Sequence, residues 1–129
     1  MQVYYFTRTG RSKKVAEELA ERYGTKVQEI ADDVNWQGAI GYLKAGYEAF
    51  QKEARPARYN KPTADEELIL VFPVWAGTFP PAVRTFLAKE GRAKVICMPT
   101  SIGSKLNDRD GFVKVIDLVG KTITTPESI

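Results

Sequence analysis

The run Glu67-Leu68-Ile69-Leu70-Val71-Phe72 constrains the fold more than any other stretch of the chain. It is continuously apolar and rich in β-favouring residues, without the alternation of a half-solvated strand. A strand of this kind belongs to a parallel sheet covered on both faces. Lys94-Val95-Ile96-Cys97-Met98 has the same character, and Val3-Tyr4-Tyr5-Phe6 is a shorter example. Val113-Lys114-Val115-Ile116-Asp117-Leu118 reads as a last strand, and Lys26-Val27-Gln28-Glu29-Ile30 as a short one at an edge. Between these runs the apolar period changes from strand to helix. Val15, Ala16, Leu19, Ala20 and Tyr23 form one helical stripe, and Gly24 ends it. Asp32-Asp33-Val34-Asn35 supplies capping residues for a second helix over Trp36–Glu53, striped by Ile40, Leu43, Tyr47 and Phe50. Gly38, Gly41 and Gly46 count against that helix. Pro80 and Pro81 suit the first turn of a third, with Val83, Phe86 and Leu87 on its core face and Gly91 at its end. Strands alternating with helices imply an α/β, doubly wound parallel sheet.

The bulk numbers exclude whole classes of chemistry. A length of 129 residues suits one domain, 1–129, with a real core. Histidine is absent, which removes the commonest general base and the commonest metal ligand. Ser-His and Cys-His nucleophiles are therefore ruled out, and no metal site is expected. The one cysteine, Cys97, sits in an apolar run and reads as a small buried hydrophobe. It cannot form an internal disulfide, which fits a reducing, cytoplasmic setting. The net charge of +3 comes from cations interleaved with acids, so no nucleic-acid partner is expected. No apolar run approaches a membrane span, and the N-terminus enters a strand without a signal pattern.

Ligands of open α/β sheets bind outside the carboxyl ends of the strands. Three loops leave such ends here: Thr7–Ser12, Pro73–Thr78 and Pro99–Asn107. The first, Thr7-Arg8-Thr9-Gly10-Arg11-Ser12, turns from a strand into a helix start through three hydroxyls and a glycine. Backbone N–H groups without internal partners and the helix dipole make that turn an anion site. No lysine follows the glycine as in a nucleotide-hydrolase loop, and no GxGxxG fingerprint is present.

The loop Thr7–Ser12 resembles the flavodoxin phosphate loop, [TS]-x-T-G-x-[TS]. Pro73-Val74-Trp75-Ala76-Gly77-Thr78-Phe79-Pro80-Pro81-Ala82-Val83-Arg84-Thr85-Phe86-Leu87 is similar to the second flavin loop and following helix of that family. The likeness covers roughly residues 1 to 105. It implies the flavodoxin-like sheet order 2-1-3-4-5 and FMN as cofactor. The FMN phosphate would lie on Thr7, Thr9, Gly10 and Ser12. Arg8 and Arg11 hold the variable positions and would add diffuse or direct attraction. The ring would lie between Pro73, Val74, Trp75, Ala76, Gly77 and Thr78 on one side and the Thr100–Ser104 loop, with Thr100, Ser101 and Gly103, on the other. Trp75 is the stacking candidate, and its competing reading is a core tryptophan. Ala76 and Gly77 would bring backbone groups to the ring edge.

Three departures from the family set further expectations. No aromatic residue lies between Thr100 and Asp110, so Trp36, Tyr42, Tyr47 or a second subunit would cover the outer ring face, or it stays open. The segment Pro99–Phe112 is too short for a loop and a full crossover helix, so the fourth helix is expected to be missing or reduced. Residues Gly120–Ile129 lack helical periodicity, so the closing helix is expected to be absent as well. The exposed sheet would then be covered by a second copy in a homodimer, or by the tail folding back. With no catalytic side chain in sight, the cofactor must carry the hard step. The expected function is electron transfer by an FMN-binding carrier to a redox partner protein or small-molecule acceptor. The alternatives are an FMN-dependent NAD(P)H:quinone-type reductase and a binding or regulatory module that has lost the flavin.

Overall fold

The structure is a computed structural model that describes residues 1–32 and 56–129. The helix expected over Trp36–Glu53 and the aromatic candidates Trp36, Tyr42 and Tyr47 lie outside the described residues. The elements are β1 (Gln2–Tyr5), α1 (Arg11–Arg22), β2 (Val27–Glu29), β3 (Leu68–Pro73), α2 (Pro81–Glu90), β4 (Val95–Ser101), β5 (Lys114–Val115) and β6 (Leu118–Val119). The main path of the sheet runs β2-β1-β3-β4-β5, and β6 also pairs with β4. Every named pair is parallel. The expected order is thus observed, with β2 at one edge.

Strand pleat decides which residue faces which helix layer. Val3, Tyr5, Ile69, Val71, Ile96 and Met98 face α1 and meet its stripe of Val15, Ala16, Leu19 and Ala20. Tyr4, Phe6, Leu68, Leu70, Phe72, Val95 and Cys97 face the other way, toward Ala82, Val83, Phe86 and Leu87 of α2. Both faces of β3 are therefore buried, which is why its sequence shows no polar alternation. Burial pushes the Cys97 thiol up to about 12, as expected of a packed, unreactive side chain.

The expected last strand, Val113–Leu118, is corrected by the structure. It is two short pieces, β5 and β6, interrupted at Ile116 and Asp117. The cause lies in the neighbouring strand. Lys94 and Thr100 C=O accept from the β3 side, while Val95, Cys97 and Ser101 C=O accept from the outer side. Alternation thus aims residue 99 outward, and Pro99 has no N–H to give. The ladder lapses there and resumes at Thr100↔Leu118. Both pieces run parallel to β4, which settles the direction of this edge.

No helix bridges β4 and β5. The segment is held instead by Arg92, whose guanidinium grips both oxygens of Asp108 at 2.7 and 2.8 Å and the Asp110 C=O at 2.9 Å. The same guanidinium lies 5.1 Å from the Phe79 ring centre and 4.9 Å from that of Phe112. Leu106 fills the core beneath it. The tail folds back over the α1 face, where Ile116, Ile123 and Ile129 join the cluster. Arg22 donates to Pro126 C=O and the Thr125 hydroxyl to the Glu18 carboxylate, fastening it along the helix. The folded-back tail, one of the two covers expected for that face, is thus observed. Among the described residues no helix is long and apolar enough to cross a membrane.

Arg92 holds the Asp108 carboxyl below the usual carboxylate range. A depressed folded pKa gives stability that is present above the unfolded value and lost as pH falls through the folded one. Arg92→Ala should therefore cost about 1–3 kcal/mol at pH 7, combining a half-exposed bidentate pair with lost ring contacts. The deficit should begin to shrink as pH falls below about 4, the ordinary aspartate value, and go on shrinking until Asp108 takes up its proton in the folded protein at a lower pH. Urea unfolding of both proteins across pH 3–7 checks this, and a constant deficit would assign the effect to packing alone.

Candidate functional site

The parallel ladder brings three loop starts to one edge. Tyr5 pairs with Val71, and Val71 with Met98, so the chain leaves β1, β3 and β4 at the same level. These loops enclose a cleft of about 280 Å³. The first loop contributes Thr7, Arg8, Thr9, Arg11 and Ser12, the second Pro73, Val74 and Trp75, and the third Thr100, Ser101, Ile102, Gly103 and Ser104.

The first loop is built against ordinary helix rules. The N-cap of α1 is Gly10, at φ 97° and ψ −6°, with no side-chain cap and no acid in the first turn. That backbone conformation favours glycine. Arg11, Lys13 and Lys14 occupy the first turn instead, where the dipole makes each cation unfavourable by up to about 1 kcal/mol. The first intrahelical bond runs from Lys14 N–H to Gly10 C=O at 3.0 Å. The amides of Arg11, Ser12 and Lys13 therefore have no intrahelical acceptor. A helix start that concentrates positive charge and omits caps could receive an anion, at a cost to its own stability.

The three hydroxyls of this loop differ. Thr7 Oγ1 accepts from Gly10 N–H at 2.9 Å, which closes the turn and leaves the hydroxyl proton to donate elsewhere. Thr9 is exposed. Ser12 is buried, and its Oγ lies 2.9 Å from Thr100 Oγ1, which in turn reaches Phe72 C=O at 3.4 Å. The Ser12 side chain thus ties the first loop to the third, and its backbone amide is the group left for an anion. Arg11 is also more than a charge: its guanidinium donates to Gly120 C=O and, at 3.5 Å, to Ser101 C=O.

The second loop folds back on itself. Trp75 and Thr78 exchange backbone hydrogen bonds of 2.9 and 3.0 Å across Ala76 and Gly77. Both central residues have positive φ, 52° and 78°, as a tight primed turn requires. Gly77 C=O accepts from Asn107 N–H at 2.8 Å, and Arg84 donates to Thr78 Oγ1 at 3.0 Å. Burial lowers the Arg84 pKa from its ordinary value. Ala76, Gly77 and Thr78 of this turn, like Gly10 of the first loop, are not among the residues that line the cleft. Trp75 borders the cleft but is 6% exposed and packs edge-on against Phe6 at 5.5 Å between centroids. The described conformation makes it a core residue with one border on the cleft.

Sequence reasoning passed over Ile102 and Ser104 as wall residues. Ile102 is 65% exposed, unusual for so apolar a side chain beside a cleft. Its place in a loop after a buried strand was the only available signal.

No family model matches the chain. An uncharacterized protein of Archaeoglobus fulgidus is 31% identical over 98 residues, or 76% of this chain. The chain spans 62% of the length of that relative. Among solved structures, a Lactobacillus acidophilus flavoprotein in complex with FMN superposes with a TM-score of 0.70 at 18% identity, covering 92% of this chain and 90% of the other. A provisionally assigned flavoprotein of Bacteroides uniformis gives 0.74 at 23% identity, covering 94% and 90%. One from Bacteroides eggerthii, also provisionally assigned, gives 0.66 at 23% identity, covering 80% and 71%.

A Cβ added at Gly10 would meet nothing within 4 Å, so crowding is not the issue there. Gly10→Ala should cost about 1–3 kcal/mol through backbone strain alone. Thermal unfolding checks this, and an unchanged midpoint would mean the loop relaxes to another conformation. The α/β order β2-β1-β3-β4-β5, the cleft at its carboxyl edge and these superpositions establish that the chain has the flavodoxin-like fold.

Proposed function

We propose that the cleft binds FMN and that the protein transfers electrons. The observation that carries this reading is the donor set at the start of α1. It combines amides without intrahelical acceptors, the Thr7 and Thr9 hydroxyls, and Arg8 and Arg11, with no carboxylate among the described residues of the cleft wall. Such a set fits a phosphate monoester. The amides of Arg11, Ser12 and Lys13 and the hydroxyls of Thr7 and Thr9 would hold the phosphate. Pro73, Val74 and Trp75 would face the ring from one loop, and Thr100, Ser101 and Gly103 from the other. Ala76, Gly77 and Thr78 would act from behind, by fixing the second loop against Asn107 and Arg84. Bound FMN would supply reversible electron uptake, which no side chain in the cleft can provide. The flavin complex of the Lactobacillus acidophilus structure supports the same reading.

One observation keeps a second reading, an FMN-dependent reductase. Ile102 is an exposed apolar residue of the third loop and is not aromatic, so among the described residues the cleft rim offers an apolar surface to a second reactant.

Purified protein mixed with FMN should show a shifted visible flavin spectrum and saturable quenching of flavin fluorescence. Thr9 is exposed, so Thr9→Glu should leave the fold intact while weakening FMN by at least about tenfold through charge repulsion. Equal affinity of the two proteins would place the phosphate elsewhere, and absence of saturable binding would end both redox readings. Sustained NADH or NADPH oxidation with a quinone would select the reductase over the carrier.

A further inference from the structure

A small cavity of about 170 Å³ lies along α2, walled by Phe79, Arg84, Leu87, Ala88 and Arg92. None of these residues lines the cleft. Arg84 and Arg92 both approach the Phe79 ring, at 5.7 and 5.1 Å from its centre. Asp108 is the carboxylate that acts on both, and Arg92 holds both of its oxygens. Arg84 has no salt bridge among the described residues. Its guanidinium donates to Thr78 Oγ1 at 3.0 Å, but its Nε–H is buried without an acceptor. No other buried side-chain polar atom among the described residues lacks a partner. Native structures satisfy such groups as a rule, and an unsatisfied one on a charged side chain is the most costly. Burial is the main cause that lowers the Arg84 pKa; Asp108 opposes the shift and the Arg92 cation adds to it. The counter-charge is thus concentrated on Arg92, and Arg84 is left undercompensated beside an apolar wall.

We propose that this cavity binds a short-chain aliphatic carboxylate, its head paired with Arg84 and its hydrocarbon part against Phe79, Leu87 and Ala88. A carboxylate supplies the missing counter-charge and matches the planar fork of a guanidinium. The remaining walls are apolar side chains, which suit a hydrocarbon body. They offer no donors to the far side of a tetrahedral oxyanion, so phosphate or sulfate would keep oxygens unpaired there. The volume equals that of about six liquid waters, which admits a chain of a few carbons. The site is independent of the flavin reading, because it shares no wall residue with the cleft.

The probes are butyrate and inorganic phosphate, titrated into the full chain and followed by the Arg84 Nε–H resonance in nitrogen–proton correlation spectra. Butyrate should shift that resonance saturably, with a Kd on the order of 1 mM, as a ligand of about six non-hydrogen atoms allows. Phosphate should bind at least about tenfold more weakly. Ala88→Glu brings a carboxylate one turn from both Arg84 and Arg92, into the place of the ligand. Ala88 is exposed, so the fold should be retained, as circular dichroism would verify. Butyrate should then bind at least about tenfold more weakly. Lys89→Gln removes an exposed cation that does not line the cavity, and should change the affinity less than about twofold. Butyrate should also raise the unfolding midpoint of the parent chain, and Arg84→Gln should remove that rise. A response without saturation, or a rise that survives Arg84→Gln, would overturn the proposal. Equal affinity for phosphate, or equal losses in Ala88→Glu and Lys89→Gln, would overturn it as well and mark an adventitious ion only.

Discussion

The site depends on the register of the three central strands. Parallel pairing of β1, β3 and β4 places Tyr5, Val71 and Met98 side by side and sends three loops off one edge together. Antiparallel pairing would send neighbouring loops to opposite ends. The register is held by burial on two faces: a slip of one residue would exchange the α1-facing and α2-facing sets of every strand. Tyr4 and Tyr5 show how closely the faces are assigned. Tyr4 packs on Phe86 at 5.4 Å and reaches Asn60 C=O, while Tyr5 packs with the α1 layer and reaches Glu29.

On that frame, local stability and local chemistry diverge at the start of α1. The helix is amphipathic along its length, yet its first turn lacks a side-chain cap and carries cations where acids would stabilise it. Stability is recovered through tertiary contacts. Ser12 bonds to Thr100 across the sheet edge, and Arg11 reaches both Ser101 and Gly120. The same residues that shape the cleft therefore also bind the tail, so the α1 face is closed without a terminal helix. On the other face Arg92 takes the equivalent part. It pins a helix-free connection to α2 through Asp108, Phe79 and Phe112.

Much of this was legible because it is written in local pattern. The unbroken run Leu68–Phe72 announces a strand buried on both sides, and the 3.6-residue stripe of α1 announces its core face. The loop Thr7–Ser12 stands out since its hydroxyls and glycine exceed what capping needs. Other features depend on non-local geometry. The break between β5 and β6 arises from which way Pro99 faces, a matter of parity along β4 that only the hydrogen-bonding partners reveal. Trp75 reads as a stacking platform, with a core residue as the competing reading, until Phe6 is found against its ring. The turn at Ala76-Gly77 looked like part of the cleft wall, whereas Asn107 draws it away.

The sequence by itself determined the layered α/β architecture, the absence of histidine chemistry and a glycine turn rich in hydroxyls at the start of α1, because apolar period, residue inventory and turn composition are local quantities. Tertiary structure alone decided which hydroxyl is consumed in holding the loops, which residues form the wall, and how a helix-free tail covers the sheet. Those outcomes rest on contacts between residues far apart in the chain, such as Ser12 with Thr100 and Arg11 with Gly120, for which the chain carries no periodic signal.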